Sequence, residues 1–274
     1  MTETSIPDLA CDCHIHVYDM NRYPIPQANP VSPPHATWDD YLALRSKLGL
    51  SRAVIVQATG YEFDNRCTLE ALARNPESTR AILTLPTDVS DADLQHYDAL
   101  GARGLRFMLV PGAPQVMQWE DLPVMAERIA PLGWNINRQL DGRDLVQYAP
   151  MLADLPCRLV IDHVGKFLKP VPTDHPGFIA LRQLLEHGNT WVKLSAVYET
   201  SLTGKPAFED VGLLARTLAH AYPERCLWAS NWPHPTQQDR PDEQNLLDLL
   251  QQWVRSEQDL QSILRDNPAE LYGF

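Results

Sequence analysis

The chain has 274 residues, of which 44% are hydrophobic and 21% charged, ample for one large domain with a substantial core. A formal charge of −12 with no basic stripe excludes nucleic acid as a partner, and no run approaches the roughly 18 apolar residues of a membrane span. The N-terminus lacks a secretory pattern, and five scattered cysteines (Cys11, Cys13, Cys67, Cys157, Cys226) read as reduced core thiols, so a cytoplasmic location is expected.

The first apolar segment, residues 11–17, reads as a β-strand and carries Asp12-Cys13-His14-Ile15-His16. Side chains alternate along a strand, so His14 and His16 are expected on one face, about 7 Å apart, with Cys13 and Ile15 on the other. Two imidazoles so placed suit a metal pincer or acid–base chemistry; the bland alternative is a pair satisfied by buried hydrogen bonds. A helical pattern follows at 38–48, then a strand at 52–58 that leads through Gln57 and Thr59 towards Tyr61. Helix 66–74, strand 80–85 and helix 91–100 come next. Strand 104–108 carries Arg106, and after helix 122–130 strand 134–140 carries Asn137 and Arg138. Helix 143–152 precedes strand 158–164, which ends in Asp162-His163. Helix 178–186 precedes strand 191–196, with Lys193, Ser195 and, just beyond, Tyr198. Helix 211–221 and strand 226–230 lead to Asn231-Trp232-Pro233-His234, and segments 241–253 and 257–264 supply closing helices, the first opening on Pro241. Prolines cluster at 24–34 and 168–176, as in ordered but irregular loops.

Eight strand–helix units in one chain imply parallel strands and right-handed crossovers. The expected fold is a single (β/α)8 TIM-type barrel over residues 1–274, closed by C-terminal helices. A doubly wound open sheet is the runner-up. It lacks a phosphate-binding glycine loop, since His163-Val164-Gly165-Lys166 has one glycine. Barrel enzymes draw their catalytic groups from the C-terminal strand ends. Gln57, Arg106, Lys193, Tyr198 and His234 therefore become candidates for substrate contact. Each has a structural alternative: Lys193 can pair with an acid, Arg138 can point outward and cap a helix, and Asp162 can orient His163.

Three motifs carry a resemblance: D-x-H-x-H at 12–16, D-H-x-G at 162–165 and W-x-S-N-W-P-H at 228–234, followed by the closing Asn267-Pro268-Ala269-Glu270-Leu271-Tyr272-Gly273-Phe274. Together they resemble the amidohydrolase superfamily, in the branch of 2-pyrone-4,6-dicarboxylate lactonase, sugar-acid lactonases and galactarolactone isomerase. The resemblance implies a barrel with His14, His16, His163 and Asn231 in catalytic positions and Arg106 holding a substrate carboxylate. Two departures stand out. The strand-eight position is usually aspartate, but Asn231 cannot take a proton from water at neutral pH. A second arginine used by the pyrone lactonase falls at Gly112.

The expected activity is hydrolysis of a small anionic pyrone or sugar-acid lactone. Two alternatives stand beside it: lactone isomerisation, which Asn231 suits because the substrate's own hydroxyl is the nucleophile, and a barrel that binds a ligand without turnover. No cofactor is expected, because Arg106 repels a cation and Asn231 removes a carboxylate ligand. The alternative is one zinc ion on His14, His16 and His163. The pattern specifies no oligomeric state.

Overall fold

Apolar segments of three to seven residues, each followed by a helix, set the architecture of the computed structural model, which describes residues 5–25, 33–112 and 116–274. The strands are β1 (Cys11–Ile15), β2 (Arg52–Val56), β3 (Thr79–Leu83), β4 (Ala102–Met108), β5 (Asn135–Gln139), β6 (Arg158–Ile161), β7 (Thr190–Leu194) and β8 (Cys226–Trp228). They pair in parallel and in chain order. Backbone bonds close the ring: Asn231 N–H donates to His14 O at 3.0 Å and His16 N–H to Trp232 O at 2.8 Å. Asp12 clasps the same seam, its carboxylate accepting from Ser230 N–H at 2.9 Å and Ser230 Oγ at 2.6 Å. The result is a (β/α)8 barrel.

The connecting helices are α1 (Trp38–Lys47), α2 (Arg66–Arg74), α3 (Asp91–Leu100), α4 (Asp121–Ile129), α5 (Leu145–Ala153), α6 (Pro176–Glu186) and α7 (Glu209–Ala221). Local chemistry fixes their ends. Thr37 and Asp40 form a capping box on α1, and α3 begins on Ser90 and stops at the left-handed Gly101 (φ 107°). Three further helices, α8 (Glu243–Trp253), α9 (Glu257–Gln261) and α10 (Asn267–Tyr272), close the chain, with a π-turn at Ser262–Asp266 between the last two. Helix α8 starts two residues later than Pro241 suggests, because the Asp242 side chain caps it by accepting from Gln244 and Asn245 N–H.

The main core lies between sheet and helices, around fully buried residues such as Phe107, Trp134, Phe178 and Leu181. Each contributes about 1.5–3 kcal/mol by leaving water. A second cluster joins Cys11, Cys13, Val54, Val56 and Val160 to Leu271 and Tyr272, so α10 plugs the N-terminal mouth. Gly104 is required where β4 meets β5, since a Cβ there would lie 2.3 Å from Asn135 O. All five cysteines are free and buried. No helix among the described residues is long and apolar enough to cross a membrane. Of the proline cluster at 24–34, residues 26–32 lie outside the described residues.

Six of the eight strands end two or three residues earlier than their apolar patterns suggest, so the polar groups at their ends sit on the turns that follow. Strand β1 also breaks the expected alternation. Cys13 joins the inner cluster while Ile15 packs outward beside Trp38 and Tyr41, because the register with β2 shifts between Asp12 and Ile15.

Candidate active site

That irregularity brings two imidazoles into contact. His14 and His16 meet edge to face with ring centroids 4.8 Å apart and Nε2 atoms 3.3 Å apart, closer than regular strand geometry allows. His16 Nδ1–H donates to Val56 O at 2.8 Å, which leaves Nε2 as its acceptor. Lys193 Nζ, from β7, stands 3.0 Å from His14 Nδ1. A consistent proton assignment runs from Lys193 Nζ–H to His14 Nδ1, then from His14 Nε2–H to His16 Nε2. Lys193 has no exposed surface and also contacts Asp162 Oδ1 at 3.0 Å and donates to Asn137 Oδ1.

His163 follows β6 on a left-handed turn (φ 56°) that turns its ring towards His14, with centroids 4.8 Å apart. Its Nδ1 bonds Ser195 Oγ at 2.9 Å. Burial pushes all three imidazoles down, His16 to about 3, and the neighbouring charges of Lys193, Arg106 and Lys166 push His14 the same way. Burial raises Asp162, but the charges of Lys193 and Arg106 outweigh it and keep the carboxyl below its usual range. The imidazoles are therefore neutral at physiological pH, beside an internal ion pair.

Above them opens a cavity of about 190 Å³, lined among others by His16, Tyr18, Thr59, Arg106, Gln139, His163, Lys166, Glu199 and Asn231. Arg106 is 6% exposed; it donates to Gln57 O at 2.6 Å and has a buried Nε–H with no partner. Asn231 also has left-handed backbone (φ 60°). Its Nδ2 donates to Tyr198 OH at 2.9 Å and Glu199 Oε1 at 3.1 Å, so the group it can offer the cavity is Oδ1, an acceptor. Tyr198 OH contacts His234 Nδ1 at 2.6 Å, and His234 Nε2 contacts Glu243 at 3.2 Å, which holds the Asn231 amide in one orientation.

The structure thus gathers His16, His163, Arg106 and Asn231 on the cavity, with His14 directly beneath. Four candidates for substrate contact lie behind the wall. The Gln57 amide holds the loop after β2, donating to Asp64 O at 2.9 Å and accepting from Thr68 Oγ1 at 2.6 Å. Lys193 lies under the histidines, while Tyr198 and His234 brace Asn231. Arg138 faces outward from the barrel, towards the helix layer, but caps no helix: it donates to the strand carbonyls of Phe107 and Gln139. It is buried, with its guanidinium 3.9 Å from the centre of the Trp119 ring. Lys166 and Glu199 line the cavity and did not stand out in the sequence. Each lies within four residues of a strand-end group, the one available signal.

A family model described as Amidohydrolase matches residues 11–274. The chain belongs to the amidohydrolase family. This amidohydrolase is 33% identical over 273 residues to a D-galactarolactone isomerase of Agrobacterium fabrum, covering 98% of this chain and 92% of that protein. It is also 33% identical over 277 residues to a 2-pyrone-4,6-dicarboxylate hydrolase of Comamonas testosteroni, covering 97% and 91%. An apo crystal structure from Agrobacterium tumefaciens superposes with a TM-score of 0.91 at 32% identity, covering 98% of this chain and 97% of that one.

Whether this amidohydrolase can hold a metal depends on its donors. His14, Asp162 and His163 offer ligand atoms within 4.8 Å of one another, and Asp162 Oδ2 is buried without a hydrogen-bond partner. The place between His14 Nδ1 and Asp162 Oδ1, however, holds the Lys193 ammonium, 3.0 Å from each. The His14 and His16 Nε2 atoms are spaced for a tetrahedral zinc, but Asn231 brings an amide where a carboxylate would neutralise the ion. With Arg106 on the same cavity, the donor set fits an internal ammonium and not a divalent ion.

Proposed function

We propose that this amidohydrolase is a metal-independent lactonase that opens a small anionic lactone. The observation that carries the reading is the facing arrangement on one cavity of a buried, carboxylate-free guanidinium (Arg106), a neutral imidazole (His163) and a fixed amide acceptor (Asn231). Arg106 binds the substrate carboxylate through N–H groups that otherwise lack a charged partner. Asn231 Oδ1 accepts a hydrogen bond from water and orients it. His163, its Nδ1 held by Ser195, takes the proton as water attacks the ring carbonyl and returns it to the ring oxygen as the C–O bond breaks. Lys166, the cavity's second cationic N–H donor, lends one N–H to the developing oxyanion while its charge stays paired with Glu199.

Isomerisation is the second reading, and Asn231 favours it. With no carboxylate at this position, the nucleophile need not be water: a substrate hydroxyl held on Oδ1 has a high effective concentration. The two relatives, one an isomerase and one a hydrolase, are equally similar to this chain. Hydrolysis comes first because it asks nothing of the substrate beyond the ring ester and one carboxylate.

Small carboxylated lactones incubated in 18O-water with chelator-treated protein separate the readings. Hydrolysis yields an open acid carrying one 18O; isomerisation yields a new ring size without label. In the second case Asn231→Asp should convert the product to labelled open acid. Binding without turnover across the panel would overturn the enzyme reading, and restoration of lost activity by zinc would overturn metal independence.

A further inference from the structure

The charged side chains that line the cavity are Arg106, Lys166 and Glu199. Lys166 Nζ contacts Glu199 Oε2, and both side chains are nearly buried, at 12% and 11% exposed. Glu199 Oε1 is held in addition by Asn231 Nδ2. Arg106 has no such counter-charge. Its guanidinium meets Gln57 O, the Gln139 amide oxygen at 3.4 Å and Met108 Sδ, all uncharged, and no ion pair includes it among the described residues. Beneath the wall, Asp162 and Lys193 cancel one another, and the adjoining histidines are neutral. The cavity therefore presents one unmatched positive charge. Gly112, past the end of β4, is exposed and adds none.

We propose that the Lys166–Glu199 pair is a charge filter that restricts this site to substrates with a single anionic group, held by Arg106, and a hydroxylated, uncharged end beside Glu199 and Asn231. The proposal rests on the lactone reading only for the chemistry that follows binding. A second carboxylate near Lys166 would have to take the ammonium from Glu199, leaving that carboxylate buried and unpaired at a cost of several kcal/mol. A hydroxyl instead finds two acceptors, a Glu199 oxygen and Asn231 Oδ1. Glu199 is thus a specificity-determining residue.

Binding of furan-2-carboxylate and furan-2,5-dicarboxylate, measured by calorimetry, tests this with rings that cannot be opened. The wild type should bind the monocarboxylate at least roughly tenfold tighter than the dicarboxylate. Glu199→Gln preserves shape and frees Lys166, so dicarboxylate affinity should rise about tenfold more than monocarboxylate affinity does. Lys166→Gln leaves Glu199 unopposed and should weaken both ligands, the dicarboxylate more; it reads the same charge count if the first variant fails to fold. Equal binding of the two rings by the wild type, no binding of the monocarboxylate, or an unchanged preference in both variants would overturn the filter. A lactone panel without turnover, with the monocarboxylate preference intact, would overturn the lactone reading alone.

Discussion

An imidazole buried among cations gives up its charge before anything else in its surroundings changes. His14, His16 and His163 are all depressed by burial, which has a direct consequence for pH dependence. A base with a lowered pKa is already neutral well below its usual titration point, so acid does not disable it in the ordinary histidine range. We expect kcat/KM to stay level from pH 7 down to about 5, without the inflection near 6.5 of a solvent-exposed histidine. Lys166 behaves oppositely: burial draws its ammonium down to about 8, and activity should decline above that pH as the charge is lost. Lys166→Arg should move this basic limb upward. A profile with an acid limb at pH 6–7 would show that the essential imidazole titrates in the ordinary histidine range and is not depressed by burial.

At the scale of elements, the site is made where strands stop. His163, Val164 and Lys166 after β6, Ala196 after β7, and Asn231 and His234 after β8 all have positive φ without being glycine. Each such residue costs of order 1–2 kcal/mol, retained because the surrounding barrel dictates the turn. This explains what the sequence could and could not disclose. Alternation of apolar strands with amphipathic helices survives any tertiary arrangement, so the barrel was legible, as was the convergence of His14, His16, His163, Arg106 and Asn231. Glu199 and Lys166 were not, because a polar loop residue looks alike whether its turn faces solvent or folds back over the barrel. Lys193 and Gln57 were misplaced for a related reason: strand position gives the face but not the depth.

The β1–β8 contact carries its own prediction. Asp12 accepts three hydrogen bonds there, yet burial dominates and raises its carboxyl from 3.8 to about 6. A carboxyl raised on folding holds its proton longer in the native state, so its contribution is complete below pH 3.8 and is lost as pH climbs through 6. About two pKa units correspond to about 3 kcal/mol. Asp12→Asn keeps an acceptor for the backbone N–H groups and has no such titration. Measured by urea unfolding, the stability of the wild type relative to this variant should therefore fall by up to about 3 kcal/mol between pH 4 and pH 6.5. A constant difference would show that Asp12 is ionised across the whole range.

For the whole molecule, the seam has a kinetic meaning. The bonds that join the last strand to the first are made by the backbones of His14, His16, Asn231 and Trp232, two of which present side chains to the cavity. A partial opening that spares the rest of the ring would have to part these groups first. The seam between the first and last strands therefore cannot part while the site stays assembled. Native-state deuterium exchange should place the amides of His16 and Asn231 in the slowest class, released only with global unfolding. Loss of turnover in denaturant should coincide with loss of tryptophan fluorescence signal. Inactivation at a lower denaturant concentration, with those two amides still protected, would separate the two events. If they do coincide, the barrel and its chemistry form one cooperative unit, and a variant selected for longer shelf life will be found by tightening the place where the circle meets itself.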